Sequence, residues 1–185
     1  SSEDILWCWM TDNKICVYTF GTDFLPVDVS LVIGHALHYS FAKGQLQIAE
    51  GQMYERTAQA FGVGTVEFLS NLTIGVVGAS GTGSIVAEQL YRLGVKRLIL
   101  VDDDYVEERN LGRILNSTVY DAQNHTNKTE MLKQAYDRIG MATEVIAVPT
   151  VVANPNAIRK LSQCDLIFGC LDSADGRMYT NRLCT

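Results

Sequence analysis

The chain has 185 residues, of which 47% are hydrophobic and 19% are charged, so it can form one ordinary domain and is not a disordered chain. Its 15 basic and 21 acidic residues give a net charge of −6, and without a basic run we expect no nucleic-acid partner. The apolar runs are far shorter than the roughly 20 residues of a membrane span, so we expect no membrane partner either. The five cysteines include no C-x-x-C pair, which is typical of free thiols in a reducing compartment, and we expect a cytoplasmic protein.

The first 50 residues differ in pattern from the rest of the chain. Residues 5–9 and 14–20 are apolar runs separated by a short polar turn, which is typical of a β-hairpin. We interpret residues 1–50 as a small β-containing segment, the remnant of a preceding module. Residues 51–185 are interpreted as a separate domain.

From residue 54 onward, helices and strands are predicted to alternate. Residues 54–69 favour two short helices. Strands are predicted at residues 72–78, 97–101, 144–148 and 165–168, and helices at 82–93, 127–139 and 155–161. Asn127 and Glu130 predict a capping box at the start of one helix. The alternation predicts an α/β fold, a doubly wound, Rossmann-like, mostly parallel sheet with helices on both faces.

A glycine-rich turn, Gly78-Ala79-Ser80-Gly81-Thr82-Gly83, joins the first of these strands to the next helix. Such a turn offers backbone N–H groups and a helix N-terminus to phosphate, although a tight turn without a ligand is the simpler alternative. It is not a P-loop, because no lysine follows Gly83, and not a hydrolase elbow, because Ser80 lacks a glycine two residues later. A dinucleotide fingerprint remains, with Ser80 at the middle glycine and Asp102 placed to accept hydrogen bonds from ribose hydroxyls.

Charged side chains near the ends of the predicted strands favour a nucleoside triphosphate over a nicotinamide cofactor. Arg113 and Lys128 can neutralise phosphate oxygens, while the carboxylate of Asp172 can hold Mg²⁺ or its waters. Hydride transfer requires none of these groups. The alternative interpretation is that Arg113 and Lys128 are solvated surface charges and Asp172 is only a helix N-cap.

Taken together, these motifs resemble the ThiF/MoeB and ubiquitin-activating (E1-like) adenylyltransferases from about Tyr54 to Thr185. The matching positions are the glycine turn, the V-D-x-D-x-V segment 101–106, the N-L-G-R segment 110–113, Lys128, and Cys170-Leu171-Asp172-Ser173 with Arg177 and Asn181. The resemblance implies that ATP activates the C-terminal carboxylate of a ubiquitin-like or sulfur-carrier protein as an acyl-adenylate, with release of pyrophosphate. It also implies that the chain lacks the C-terminal part of the domain.

The same resemblance implies roles for individual residues. Arg113, Lys128 and Asp172 are the implied catalytic residues, and Asp172 is the implied Mg²⁺ ligand. The implied ATP-binding residues are Gly78, Ser80, Gly81, Gly83, Asp102, Asp104, Asn110, Arg113 and Lys128. Arg56 lies where the family carries an arginine that reaches the nucleotide of a partner subunit, which implies a homodimer.

Three other functions remain open at the level of sequence. The first is a tRNA-modifying dehydratase of the same superfamily, against which the net charge of −6 weighs. The second is an NAD-dependent Rossmann oxidoreductase, which leaves Arg113, Lys128 and Asp172 without a role. The third is a non-catalytic, adenylation-like scaffold subunit, and the presence of the same three residues argues against it.

Overall fold

The computed structural model describes two compact units, Ser1–Gln47 and Ile48–Thr185. The backbone is described for residues 5–11, 14–20, 24–26, 29–33, 37–41, 52–172 and 174–183, and the side chains for residues 52–172 and 176–182. Among the residues described, no helix has the length and apolar character needed to cross a membrane.

The first unit is built from antiparallel strands. Its strands are β1 (Ile5–Thr11), β2 (Lys14–Phe20), β3 (Phe24–Pro26), β4 (Val29–Ile33) and β5 (Leu37–Phe41). The predicted hairpin is confirmed, because β1 pairs with β2 from Ile5↔Phe20 to Thr11↔Lys14. Strand β3 extends this sheet, and β4 pairs with β5. The sequence pattern did not predict these last three strands.

The second unit alternates helices and strands. Its elements are α1 (Glu55–Phe61), α2 (Val63–Leu69), β6 (Thr73–Val77), α3 (Gly81–Arg92), β7 (Arg97–Val101), α4 (Val119–Gln123), α5 (Lys128–Ile139), β8 (Glu144–Val148), α6 (Pro155–Leu161), β9 (Leu166–Gly169) and α7 (Ala174–Leu183), with 3₁₀ turns at Gln52–Tyr54 and Glu108–Asn110. The strands form one parallel sheet in the order β8-β7-β6-β9. The predicted α/β, Rossmann-like fold is therefore confirmed.

Apolar side chains cover both faces of this sheet. Ile99 and Val101 of β7 pack in one buried cluster with Ala157 and Leu161 of α6. Because side chains alternate along a strand, the equally buried Leu98 and Leu100 face the opposite side. Both faces of the sheet are therefore buried, as expected for a doubly wound sheet.

The carboxyl ends of the four strands meet at one edge of the sheet. Val77 is in register with Val101 of β7 and with Gly169 of β9, and Val101 is in register with Val148 of β8. The segments that follow β6, β7 and β9 therefore emerge side by side. Ligands of open α/β sheets bind outside such carboxyl ends.

The predicted capping box of α5 is wrong in detail. Asn127 does cap the helix, but its side chain accepts from the N–H of Thr129 rather than from that of Glu130, whose side chain is exposed. A complete capping box forms instead at α4, where Thr118 and Asp121 bond reciprocally. The local motif alone does not show which backbone N–H the asparagine will reach.

Candidate functional site

The glycine turn between β6 and α3 is packed so closely that two of its glycines admit no side chain. Gly78 has φ +93° and donates its N–H to the Val101 carbonyl (2.8 Å). A Cβ atom there would lie 2.9 Å from the carbonyl oxygen of Cys170, and one at Gly83 would lie 1.7 Å from the carbonyl oxygen of Gly78. The turn therefore brings its backbone against the end of β9.

Ser80, which replaces the middle glycine of the fingerprint, fits this turn without strain in φ. Its φ is −87°, so the position does not require glycine. It is the N-cap of α3, but its side chain makes no capping bond to a residue that the structure describes. The N–H groups at the start of this 12-residue helix are therefore available to an anion.

Asp102 ties the glycine turn to the end of β7. Its Oδ2 accepts from the N–H of Ala79 (2.6 Å) and its Oδ1 accepts from the N–H of Asp104 (2.9 Å). Burial raises the pKa of Asp102 above its ordinary value, although the two backbone N–H groups oppose the increase. Each carboxylate oxygen has a second lone pair, so the group can still accept from ribose hydroxyls.

Asp104 binds Lys128 to the segment that follows β7. Lys128 Nζ donates to Asp104 Oδ2 over 2.6 Å, and the Lys128 backbone N–H donates to the carbonyl of Asp104 over 3.0 Å. The Lys128 side chain is 4% exposed, whereas that of Asp104 is 70% exposed. An ammonium group has three donors and this pair uses one, so Lys128 retains capacity for phosphate oxygens.

Arg113 lies beside Gly81 of the glycine turn. Its Cβ and Cδ atoms lie 3.8 Å from the point where a Cβ of Gly81 would stand. Its Nη2 donates to Oδ1 of the buried Asn110 (3.0 Å), so one N–H group of the guanidinium is engaged while the side chain stays exposed. The structure thus brings Arg113, Asn110 and the turn together.

A cavity of about 350 Å³ opens between the start of α3 and the end of β9. It is lined by Thr82, Gly169, Cys170, Leu171, Asp172 and Arg177. Arg177 donates its Nε–H to the Leu171 carbonyl (3.0 Å), which ties α7 to this loop. Asp172 is exposed at the cavity, where a carboxylate oxygen can bind a hard cation such as Mg²⁺.

Some of the residues predicted to bind ATP and Mg²⁺ contact the glycine turn directly, whereas others only line the adjacent cavity. The turn, Asp102 and Arg113 are in contact, and Asp172 shares a cavity with Thr82 of α3. Asp102, Asp103 and Asp104 place carboxylate oxygens within 4.8 Å of one another, but backbone N–H groups and Lys128 already engage two of the three. A backbone cradle, two cations and a separate carboxylate fit a nucleoside triphosphate with its metal.

Arg56 is not brought to the turn by any contact that the structure describes. It is exposed on α1, and its Nη1 donates to Oε1 of Gln59 on the same helix (3.3 Å). Its predicted role concerns a partner subunit, so it stays a prediction.

The two cysteines whose side chains the structure describes have raised thiol pKa values, and of these Cys170 lies at the site while Cys164 lies at the other end of β9. Cys170 lines the cavity, and burial raises the pKa of its thiol. Burial also raises the pKa of Cys164 to about 12, with the charge of Asp165 adding to the effect. Because the thiolate is the reactive form, neither is activated near neutral pH.

The residues that anchor the Arg113 loop were not predicted from the sequence. Ser84 Oγ accepts from the N–H of Leu115 (3.1 Å), and Glu88 Oε2 accepts from Nδ2 of Asn116 (2.9 Å). Ser84 and Glu88 are buried on α3 and are separated by one helical turn. Two polar residues at i and i+4 beside an apolar stripe are a weak sign of such an anchor.

Comparisons with known proteins identify relatives of this chain. The zebrafish (Danio rerio) protein "Adenylyltransferase and sulfurtransferase MOCS3" is 31% identical over 117 residues, which cover 63% of this chain and 25% of that protein. "Ubiquitin-like modifier-activating enzyme 5" of Caenorhabditis elegans is 28% identical over 152 residues, covering 75% of this chain and 36% of that protein. The chain thus spans between a quarter and about a third of these curated relatives.

A solved structure and a family profile complete the comparison. The crystal structure of E. coli tRNA N6-threonylcarbamoyladenosine dehydratase, TcdA, in complex with ATP aligns with a TM-score of 0.60 and 25% identity, over 69% of this chain and 52% of that chain. The profile of the ThiF family matches residues 54–185, which hold the turn, the Arg113 loop and the cavity. The chain therefore belongs to the ThiF family, whose E1-like members are ATP-using adenylyltransferases.

Proposed function

We propose that this protein is a cytoplasmic ATP-dependent adenylyltransferase that activates the C-terminal carboxylate of a ubiquitin-like or sulfur-carrier protein. In this reaction a carboxylate oxygen forms a bond to the α-phosphorus of ATP, and the bond to the β-phosphate oxygen breaks to release pyrophosphate. The observation that supports the proposal is that Arg113 lies beside Gly81 of the glycine turn, Asp102 is bonded to the same turn, and Asp172 lines the adjacent cavity. Lys128 pairs with Asp104, two residues after Asp102.

Each group has a role in such a transfer. Arg113 and Lys128 neutralise the negative charge that grows on the phosphoryl oxygens, and Asn110 holds the guanidinium in place. The N-terminus of α3 and the N–H groups of the turn bind phosphate, and Asp102 accepts from the ribose. No protein nucleophile is needed, in keeping with the raised pKa of Cys170.

Mg²⁺ is part of the proposal, and Asp172 is the residue that would hold it. When bound, the ion neutralises non-bridging oxygens of the triphosphate.

The test of the proposal is ATP–pyrophosphate exchange with a panel of ubiquitin-like and sulfur-carrier proteins. Arg113→Ala and Asp172→Ala are each expected to lower the exchange rate about a hundredfold, because one such contact is worth on the order of 3 kcal/mol in the barrier. Arg109→Ala is the matched control, since Arg109 lies four residues earlier, is exposed and pairs with Glu107. Exchange at the wild-type rate in either site variant would refute the assignment.

Calorimetric titration separates this function from hydride transfer. We expect the protein to bind ATP with Mg²⁺, more weakly after Asp172→Ala, and to bind NAD poorly. A preference for NAD would replace the proposal with the oxidoreductase alternative. ATP binding without exchange in the presence of every carrier would favour the scaffold alternative.

A tRNA-modifying dehydratase is the second candidate, favoured by the structural likeness to E. coli TcdA bound to ATP. That enzyme's name specifies a modified tRNA base as substrate. ATP hydrolysis that depends on tRNA, and not on a carrier protein, would identify this function.

Homodimer formation is proposed together with the activity. If Arg56 reaches the nucleotide of a partner subunit, a mixture of Arg56→Ala and Arg113→Ala proteins will form heterodimers with one intact site. Partial recovery of exchange on mixing is the expected result.

A further inference from the structure

The amide of Asn127 is a fully hydrogen-bonded side chain near the candidate site. Its Nδ2 donates to the carbonyls of Asp102 (3.1 Å) and Asp104 (3.0 Å). Its Oδ1 accepts from the backbone N–H (2.8 Å) and the hydroxyl (2.6 Å) of Thr129. An amide has two donor hydrogens and two acceptor lone pairs, so all four are used. The residue is 5% exposed, and the two carbonyls and the N–H permit only one orientation of its amide.

Only half of this bonding serves to cap α5. The bond from Thr129 satisfies a free N–H of the first turn, which is the ordinary function of an N-cap asparagine. The two donated bonds reach across 25 and 23 residues to the loop that follows β7. Backbone bonds from Val106 to Thr126 and from Lys128 to Asp104 also join these two segments, and the Asn127 side chain adds two further bonds to them.

Both residues of the Lys128–Asp104 ion pair lie directly beside the bonds of Asn127. Lys128 directly follows Asn127, and the Asp104 carbonyl accepts from both the Asn127 amide and the Lys128 N–H. These bonds restrain the backbone of both Lys128 and Asp104, independently of the ion pair between their side chains. A lysine side chain has considerable rotamer freedom, and fixed charges stabilise a transition state without reorganisation.

We propose that Asn127 is a positioning residue, which clamps the loop 102–104 to the first turn of α5 and thereby fixes the Lys128 ammonium at the nucleotide site. This inference rests on the proposed function for its catalytic consequence. Its structural part, the restraint of Lys128, can be measured on the protein whatever reaction it performs.

Two substitutions remove the clamp while keeping the cap. Asn127→Asp is nearly isosteric and retains the acceptor for Thr129, but it places an oxygen opposite the two carbonyls. Asn127→Ser also retains a good N-cap acceptor, adds no charge and donates to neither carbonyl. Asn154→Asp is the matched control, because Asn154 caps α6 by the same type of bond, to the N–H of Asn156 (2.8 Å).

The first readout is the rate at which a water-soluble acylating reagent modifies each lysine, followed by mass spectrometry. Lys128 is expected to react slowly in the wild type and several-fold faster in both Asn127 variants. Lys133 is the internal reference, since it lies on the same helix, is 40% exposed and pairs with Asp137. An unchanged rate at Lys128 would overturn the proposal, and so would equal acceleration at both lysines, which would indicate loss of α5 instead.

The second readout is pyrophosphate exchange. Asn127→Ser is expected to lower kcat/KM about tenfold in the wild-type background and to have little further effect after Lys128→Ala, because residues that act through one another are not additive. Asn154→Asp is expected to leave exchange unchanged. Full additivity of the Asn127 and Lys128 effects would contradict a positioning role. Absence of exchange in the wild type would count against the proposed function. The acylation rates would still show whether Asn127 restrains Lys128.

Discussion

A single Cβ atom at residue 83 would lie 1.7 Å from the carbonyl oxygen of Gly78, closer than any real contact. Gly83→Ala must therefore move the turn between β6 and α3, and we expect the free energy of unfolding to fall by at least about 2 kcal/mol. ATP binding should weaken as well, because the displaced backbone supplies the phosphate-binding N–H groups. Denaturant titration and calorimetry measure the two effects.

Gly64→Ala provides the control of opposite sign. Gly64 lies in α2, and a Cβ added there meets nothing within 4 Å. Alanine is favoured over glycine in a helix, so the free energy of unfolding should rise by up to about 1 kcal/mol. If Gly83→Ala and Gly64→Ala change the free energy of unfolding equally, close packing of the turn is not the reason that residue 83 is a glycine.

The sequence identifies a site residue best where a residue of suitable chemistry directly follows a clearly predicted strand. Asp102 could be assigned to the end of a strand because β7 is a clear apolar run, and the structure places its carboxylate on the glycine turn. The engagement of Lys128 by Asp104 was not predicted, because the residues are 24 positions apart and nothing local indicates that they meet. Likewise, nothing in the sequence shows that Asn127 will donate to two distant carbonyls.

At the scale of elements, α3 anchors the loop that carries Arg113. Ser84 is fully buried, its hydroxyl donates to the Gly81 carbonyl (3.1 Å), and it accepts from the N–H of Leu115. Glu88 adds a second connection by accepting from Asn116, which has φ +63°. The position of the guanidinium therefore depends on one face of a neighbouring helix.

Ser84→Ala tests that dependence. Loss of the acceptor for Leu115 is expected to cost about 1 kcal/mol of unfolding free energy and, by loosening the Arg113 loop, to raise the KM for ATP several-fold. Ser162→Ala is the matched control, because the Ser162 hydroxyl also donates to a carbonyl three residues earlier, that of Arg159 (3.0 Å), but lies on exposed surface. A wild-type KM after Ser84→Ala would show that the loop is held by other contacts.

The elements themselves were predictable in proportion to their regularity. Strands β6 to β9 and helices α3, α5 and α6 were located correctly because short apolar runs alternate with segments of helical spacing. Helix α4 was missed, since its five residues are too few to establish a period. Strands β3, β4 and β5 were missed because they lie where the apolar pattern weakens.

For the whole molecule, the position of the site follows from the direction of the strands. Four parallel strands end at one edge, so residues 78–83, 102–104 and 170–172 meet there although they are far apart in sequence. This grouping could be predicted once the alternation of strands and helices indicated a parallel sheet. What could not be predicted is the strand order β8-β7-β6-β9, because it depends on packing between elements and not on any one of them.

The division of the chain into two units leads to a prediction for the second unit alone. Each described strand pairs only with strands of its own unit, Ser1–Gln47 or Ile48–Thr185. The residues proposed to bind ATP all belong to the second unit. A protein of residues 48–185 should therefore unfold cooperatively and bind ATP as the full chain does, since a domain has its own hydrophobic core. Calorimetry on both proteins, each with its Asp172→Ala variant, makes the comparison. If residues 48–185 unfold cooperatively yet bind no ATP while the full chain does, the first unit takes part in the nucleotide site.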